Sequence, residues 1–186
     1  MTRTYRAGII GQTGRGDYGH GLDEMYLTMD EVEIVAVADD NPEGLKEAGR
    51  RLGVSNLYAD YREMLSTEQL DIVSVSPTWV EPHLPMLLAV AQAGACVFLE
   101  KPMARTLAEA DAMIEACERA GVTIGIAHQG LIYSASHHAK QLIKEGAIGT
   151  VLSAQMRGKE DTRGGGEDLM MHGTHMFAAL RFLIDA

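Results

Sequence analysis

Residues 5–19 read YRAGIIGQTGRGDYG, and this stretch decides the fold. We predict a strand over Tyr5–Ile10, a glycine turn, and a helix over Gly19–Met29. A second apolar, β-branched run over residues 33–38 predicts another strand, with Asp39 at its tip. This order is that of a dinucleotide-binding βαβ unit, in which glycines let the backbone approach a pyrophosphate and the helix N-terminus faces it.

The following residues continue the alternation of apolar runs and amphipathic segments. We predict helices over 42–52, 61–65, 82–93 and 106–120, and strands over 57–59, 72–76, 96–99 and 122–127. Alternation at this short spacing indicates an α/β fold with a Rossmann-type, doubly wound parallel sheet. We expect the dinucleotide-binding domain to span residues 1–125.

Residues 126–186 differ in kind and are interpreted as part of a C-terminal α+β domain for substrate binding and oligomerisation. The pattern predicts a helix over 134–145, a strand over 150–157 and a helix over 168–184. A lone strand without a partner would leave an open edge. We therefore expect this second unit to be incomplete in the given sequence.

The composition excludes several functional classes. The chain of 186 residues is 46% apolar and 23% charged, with a formal net charge of -10. Such a charge argues against binding to nucleic acid or to an anionic membrane surface. The N-terminus has no long apolar stretch of a signal peptide, and no apolar run approaches the length of a membrane span. We expect a cytoplasmic location.

Two glycine registers compete within the glycine cluster. Gly14-x-Gly16-x-x-Gly19 fits the spacing of the dinucleotide fingerprint, whereas Gly11-x-Thr13-x-x-Gly16 better fits the expected distance from the strand. We favour Gly11 as the turn residue, with the later glycines near the pyrophosphate in a slightly enlarged loop. The residues expected to contact the coenzyme in this loop are Gly11, Gln12, Thr13, Gly14 and Gly16.

The tip of the second strand favours NAD over NADP. Asp39 is positioned to accept hydrogen bonds from the adenosine ribose hydroxyls, and Asp40 follows it directly. A second carboxylate would repel a 2′-phosphate by about 1 kcal/mol or more at close range. The alternative is that one of these carboxylates only caps the helix that begins at Pro42.

A second set of motifs follows later strands. Glu100-Lys101-Pro102 comes directly after the strand over 96–99, and Ser76-Pro77 with His83 follows the strand over 72–76. Together with Gly173-Thr174-His175 and the glycine cluster, these motifs resemble the glucose–fructose oxidoreductase / inositol dehydrogenase / rhizopine catabolism (Gfo/Idh/MocA) family. The resemblance covers essentially the whole chain.

This resemblance implies an N-terminal Rossmann domain and a C-terminal domain with a large, mostly antiparallel sheet. Members of the family use NAD(H) or NADP(H), mostly on sugars, inositols and related polyols. They are usually longer than this chain and associate through the C-terminal sheet. The resemblance therefore implies a small sugar or polyol substrate, and a homo-oligomer for a full-length relative.

The resemblance also implies roles for individual residues. Lys101 would reach the substrate hydroxyl beside the nicotinamide, with Glu100 near the coenzyme, and His175 would accept the hydroxyl proton. The remaining residues expected near the nicotinamide are Ser76, Pro77 and His83.

This chain departs from the family pattern around His175. Met171 stands four residues before it and Ala178 three residues after it, where the family has aspartates. Asp168, on the same face of the predicted helix, or His172 could replace the missing partner. His172 and His175 also have the spacing of metal ligands, but two histidines alone do not make a site. We expect no metal.

Three functions follow from these motifs. The first is hydride transfer between NAD and a sugar- or polyol-like alcohol. The second is an NAD-dependent glycoside hydrolase of the same family, for which the missing aspartate leaves room. The third is a non-catalytic, dinucleotide-binding regulatory protein. The motifs do not identify the substrate.

Overall fold

The computed structural model describes residues 3–157 and 168–184. The chain divides into two compact units, Met1–Ala127 and His128–Ala186. The first contains every strand found in the described residues, and the second is helical where it is described.

The first unit is built on a parallel sheet of six strands. The strands are β1 (Tyr5–Ile10), β2 (Val32–Ala38), β3 (Leu57–Tyr58), β4 (Ile72–Val75), β5 (Cys96–Leu99) and β6 (Ile124–Ile126). Their order in the sheet is β3-β2-β1-β4-β5-β6, and every neighbouring pair is parallel. The order reverses between β1 and β4, and such a switch point is where doubly wound sheets bind ligands. The predicted Rossmann-type fold is confirmed.

The first unit contains four α-helices, and side chains cap the N-termini of the first, second and fourth. They are α1 (Pro42–Leu52), α2 (Tyr61–Thr67), α3 (His83–Gln92) and α4 (Leu107–Ala120). The Thr106 side chain caps α4 by accepting a hydrogen bond from Glu109 N (3.1 Å). The helix ends at Gly121, whose φ of 67° is in the left-handed region that glycine tolerates.

The sheet is covered on both faces. Ile10 of β1 packs in one core cluster with residues of β4, β5, α3 and α4. Ala7 and Ile9 of the same strand pack in a second cluster, with Ala48 and Leu52 of α1. Strands buried on both sides explain the continuous apolar runs from which they were predicted.

The helix predicted over Gly19–Met29 is wrong. Only a short 3-10 helix forms there, over Met25–Thr28. The residues before it include glycines with positive φ at positions 19 and 21, and glycine is a poor helix former. The dipole of a following helix therefore cannot support an anion at the glycine cluster, contrary to our expectation.

The second unit contains a 3-10 helix and three α-helices in its described part. They are Gln129–Leu131, α5 (Ser134–Lys144), α6 (Asp168–Met171) and α7 (Gly173–Ile184). The strand predicted over 150–157 is wrong, because these residues have no regular structure. No neighbouring strand is present in the described part of this unit to pair with it. None of the helices described is both long and apolar enough to cross a bilayer.

Candidate coenzyme and catalytic site

The glycine segment, residues 11–21, folds into a loop closed by its own hydrogen bonds. Gln12 N donates to Asp17 O (3.1 Å), and Asp17 N donates back to Gln12 O (3.0 Å). Gly14 N donates to the Asp17 carboxylate (2.8 Å). Gly14 and Gly16 have φ values of 84° and 96°, which the loop needs in order to turn. These N–H groups point into the loop, so the segment does not offer all its amides to a phosphate.

Several glycines of the segment are required because other groups come close. A Cβ on Gly11 would lie 2.3 Å from the Tyr18 ring, and one on Gly16 would lie 2.5 Å from Thr78 N. A Cβ on Gly19 would lie 2.5 Å from Ser76 O and 2.6 Å from Glu100 Oε2. The segment is therefore seated tightly against the ends of β4 and β5, which explains glycines from both predicted registers.

Asp39, at the end of β2, anchors the beginning of the glycine segment. Its side chain is buried and accepts hydrogen bonds from Thr13 Oγ1 (2.6 Å), Thr13 N (3.0 Å) and Asn41 N (2.9 Å). Burial and the neighbouring Asp39 charge raise the pKa of Tyr18 above its ordinary value. Asp39 thus binds Thr13 and Asn41 at the position from which we expect it to bind ribose.

Asp40 is the exposed carboxylate of the pair, and Gln12 Nε2 donates to its Oδ2 (3.3 Å). Neither aspartate caps α1. The cap is Asn41, whose side chain accepts a hydrogen bond from Gly44 N (2.9 Å). Asp40 therefore keeps an oxygen directed at solvent beside the glycine segment.

Two cavities flank Gln12 at the switch point of the sheet. One, of about 280 Å³, is lined by Gln12, both aspartates, Tyr61 and Arg62, whose guanidinium lies 4.4 Å from the centre of the Tyr61 ring. The other, of about 410 Å³, is lined by Gln12, Gly14, Arg15, Trp79, Glu81 and Pro82. Trp79 is 58% exposed, which is unusual for a side chain of its size. Open space beside the loop thus combines an aromatic surface with a cation.

Glu100 and Lys101 are both buried at the end of β5. Glu100 Oε1 accepts from Lys101 N (2.9 Å), and Oε2 accepts from His20 N (3.1 Å) and lies 3.0 Å from His20 Nδ1. Burial lowers the pKa of the Lys101 ammonium, and the Glu100 charge opposes that shift. The pair places a positively charged donor in a buried position at the C-terminal ends of the strands.

His83, at the start of α3, ties together the turns that follow β4 and β5. Its ring is fully buried, with Nε2 2.7 Å from Pro77 O and Nδ1 3.0 Å from Pro102 O. Carbonyl oxygens only accept hydrogen bonds, so a ring nitrogen that carries a hydrogen donates it to the carbonyl that it faces. Ser76 N donates to Ile10 O (2.9 Å), while the buried Ser76 hydroxyl has no partner among the described residues.

The second unit contains the other predicted catalytic residues. His175, on α7, lies edge-on to His128, with 5.6 Å between ring centres. His172 lies between α6 and α7, and Asp168 begins α6. The single helix predicted over residues 168–184 is wrong, because it is interrupted at His172 beside the weak helix former Gly173. That Asp168 or His172 partners His175 stays a prediction.

The structure brings the predicted residues of the first unit into two groups. Gly11 and Thr13 lie at the end of β2, where Thr13 binds Asp39. Ser76, Pro77 and His83 lie with Glu100 and Lys101 at the ends of β4 and β5, and Gly16 packs against Thr78 after β4. Sequence reasoning missed His20, Arg15 and Trp79. A histidine directly after the last fingerprint glycine was the available signal for His20. Within residues 3–157 and 168–184, no three metal-binding side chains cluster as a metal site would require.

The doubly wound parallel sheet, with the glycine segment and Asp39 at its switch point, defines a Rossmann-type fold. The model of the Gfo/Idh/MocA family, described as an oxidoreductase family with an NAD-binding Rossmann fold, matches residues 5–128. The chain belongs to this family, as the motifs predicted.

Named relatives include sugar dehydrogenases and a glycosidase. D-apiose dehydrogenase of Paraburkholderia graminis is 38% identical over 137 residues, which are 74% of this chain and 36% of that protein. A glycosyl hydrolase family 109 protein of Shewanella pealeana is 31% identical over 125 residues, 62% of this chain and 26% of that protein. The chain thus spans little more than a third of the first relative.

Solved structures share the fold. Scyllo-inositol dehydrogenase from Lactobacillus casei, with bound NAD(H) and scyllo-inositol, matches with a TM-score of 0.82 at 19% identity. The match covers 97% of this chain and 56% of that one.

Proposed function

We propose that this chain binds NAD across the C-terminal ends of the strands and takes part in hydride transfer between NAD and a sugar- or polyol-like alcohol. The observation that carries the proposal is the buried Lys101 ammonium, which directly follows β5 and shares Glu100 with the glycine segment. Relatives named as sugar dehydrogenases support the substrate class.

The residues along the switch point fit a dinucleotide. Gln12 and the Asp39–Asp40 pair line the first cavity, where an adenosine ribose would meet them, and Arg15 is the exposed cation of the second. We propose that Arg15 faces the pyrophosphate, because the loop amides donate within the protein. Two carboxylates at the ribose end repel a 2′-phosphate by about 1 kcal/mol or more, which favours NAD over NADP.

NAD, when bound, supplies the hydride acceptor. The protonated Lys101 side chain donates a hydrogen bond to the alcohol oxygen and stabilises negative charge that develops there. Glu100 favours the protonated form of Lys101 through its charge. The role of His175 as the proton acceptor rests on the family resemblance, and Asp168 or His172 is its proposed partner in place of Met171.

Calorimetry with NAD and NADP tests the proposal. We expect NAD to bind at least about fivefold more tightly than NADP, the ratio that corresponds to about 1 kcal/mol. Lys101→Met should abolish turnover on a panel of sugars and polyols while the NAD dissociation constant changes less than about threefold. Lys46→Met, at an exposed position on α1, is the control. Failure of the folded chain to bind either coenzyme would overturn the proposal.

A second candidate is NAD-dependent glycoside hydrolysis, favoured by the glycosyl hydrolase among the relatives. In that reaction a sugar is oxidised, the aglycone is eliminated, water adds to the unsaturated product and the sugar is reduced again, with no net change in coenzyme. Release of nitrophenol from nitrophenyl glycosides without accumulation of reduced coenzyme would identify it. Coenzyme binding without activity on either panel would support the regulatory alternative.

A further inference from the structure

His20 lies at the point where the glycine segment meets the end of β5. Its backbone N–H donates to Glu100 Oε2 (3.1 Å), and its ring Nδ1 lies 3.0 Å from the same oxygen. The ring is 52% exposed, whereas the Glu100 side chain is fully buried. One residue of the glycine segment thus contributes two polar contacts to a buried carboxylate.

A buried carboxylate needs such contacts, because an unpaired charge away from water is strongly unfavourable. Glu100 Oε1 accepts from Lys101 N (2.9 Å), so each carboxylate oxygen serves a different part of the chain. Among the described residues, the charged or titratable groups recorded against Glu100 are His20 and Lys101. Glu100 therefore joins the glycine segment to the proposed catalytic lysine.

Gly19 provides independent support for this connection. Its φ is 63°, and a Cβ there would lie 2.6 Å from Glu100 Oε2. The backbone before His20 must therefore lie almost against the carboxylate, and only glycine fits. The conformation of Gly19 and the contacts of His20 thus both place the glycine segment against the Glu100 carboxylate.

We infer that His20 is a positioning residue, which fixes the Glu100 carboxylate and through it the backbone of Lys101. An ionised carboxylate only accepts hydrogen bonds, so the contact requires the hydrogen on Nδ1 of His20. Neutral His20 is then the Nδ1–H tautomer, with Nε2 left for solvent or a ligand. The effect on catalysis rests on the function proposed above, but the contact and its structural effect do not.

Nuclear magnetic resonance of the full chain without coenzyme tests this inference. The imidazole ¹⁵N pattern of His20 should show the Nδ1–H tautomer. In His20→Ala, hydrogen exchange of the Lys101 amide should be about fivefold to tenfold faster, as expected for loss of one hydrogen bond that orients its acceptor. His20→Asn, whose amide can donate from nearly the same place as Nδ1, should keep exchange within about twofold of the original rate.

Three comparisons keep the test decisive. His138→Ala, at an exposed position on α5, should leave Lys101 exchange unchanged. His20→Gln places its donor one bond further out and should behave like His20→Ala. If His20→Ala does not fold, equal Lys101 exchange in His20→Asn and His20→Gln overturns the inference, and so does an Nε2–H tautomer in the original protein.

Coenzyme titration separates this inference from the proposed function. His20→Ala should change the NAD dissociation constant by less than about threefold. For any sugar that the original chain oxidises, kcat should fall about tenfold in His20→Ala, and His20→Asn should recover most of that loss. Failure to bind NAD at all would refute the proposed function but leave the exchange result intact. Unchanged exchange would refute the role of His20 whatever the coenzyme does.

Discussion

Asp39 and Glu100 both accept hydrogen bonds from the glycine segment, but they follow different strands and have different further partners. Asp39 follows β2 and is 2% exposed, while Glu100 follows β5 and is fully buried. Each holds one end of the glycine segment, Asp39 through Thr13 and Glu100 through His20. Among the described residues, the donors recorded to Asp39 are neutral groups of Thr13 and Asn41, whereas Glu100 also lies beside the Lys101 ammonium.

This difference distinguishes a purely structural role for Asp39 from an additional role of Glu100 in the proposed chemistry. Both carboxylates are buried acceptors whose loss should loosen the loop, because each satisfies several donors at once. Only Glu100 also changes the charge around a side chain that we propose to touch substrate. Substitutions at the two positions should therefore agree in their effect on stability and differ in their effect on Lys101.

The largest effect is expected for Glu100→Gln. The amide nitrogen of glutamine would face a donor of His20 or Lys101, and the buried ammonium would lose its nearby negative charge. We expect the free energy of unfolding to fall by about 3 kcal/mol, measured by urea denaturation. Glu118→Gln, at an exposed position on α4, should change it by less than about 0.5 kcal/mol. A loss under about 1 kcal/mol at Glu100 would contradict the comparison.

Much of the first unit could be predicted because its signals are local. The apolar runs at Tyr5–Ile10 and Cys96–Leu99 are strands over those same residues, and α1 begins at Pro42 as expected. The glycine segment could not be predicted in the same way. Its conformation depends on Thr78, Ser76 and Glu100, which are far away in sequence, and these contacts favour a closed loop over a helix.

The second unit shows the opposite balance. The helix Ser134–Lys144 follows from its own periodicity, but the strand predicted over 150–157 needed a pairing partner that the sequence pattern alone does not supply. The interruption at His172 likewise depends on the weak helix preference of Gly173. Sequence motifs indicated candidate residues in both units. The hydrogen-bond partners of Asp39 and Glu100 could be identified only from the folded structure.

Asp39→Asn should have the next largest effect. Asparagine would turn its amide nitrogen toward the donors of Thr13 or Asn41, and we expect a loss of about 2 kcal/mol in the free energy of unfolding. Asp40→Asn is the matched control, since its carboxylate is exposed, and should lose less than about 0.5 kcal/mol. Equal losses at the two positions would show that Asp39 is not the anchor of the loop.

The titration of Lys101 distinguishes the two carboxylates directly. Burial lowers the pKa of Lys101 below the ordinary value of about 10.4, and the Glu100 charge limits that shift. Glu100→Gln should therefore lower this pKa further, whereas Asp39→Asn should leave it unchanged. The Lys101 ¹³Cε resonance, assigned by its absence in Lys101→Met, reports the titration.

The same shift fixes the sign of its contribution to stability. Between the lowered pKa and the ordinary value, the unfolded chain binds the proton and the folded chain does not, so the Lys101 contribution to stability rises with pH there. In Glu100→Gln this window should extend to lower pH. A pKa that rises on removal of the Glu100 charge would contradict the proposed arrangement.

The smallest effect is expected for Arg15, at the tip of the glycine segment, between the parts that Asp39 and Glu100 bind. Arg15 is exposed there beside Trp79 and forms part of the second cavity. If it faces the coenzyme pyrophosphate, Arg15→Gln should weaken NAD binding about fivefold, which corresponds to about 1 kcal/mol for an exposed ion pair. The loss should shrink as salt is added, because the contact is screened by solvent ions.

A matched substitution on α4 separates this contact from the general field of the protein. Arg119→Gln removes the same charge at an exposed position far along the chain, and should leave NAD binding unchanged. Both variants should unfold at the same urea concentration as the original chain, since neither side chain is buried. If the two arginines affect NAD binding equally, only overall charge matters. The tip of the segment would then hold no phosphate, and the anchors at Asp39 and Glu100 would serve the loop for another reason.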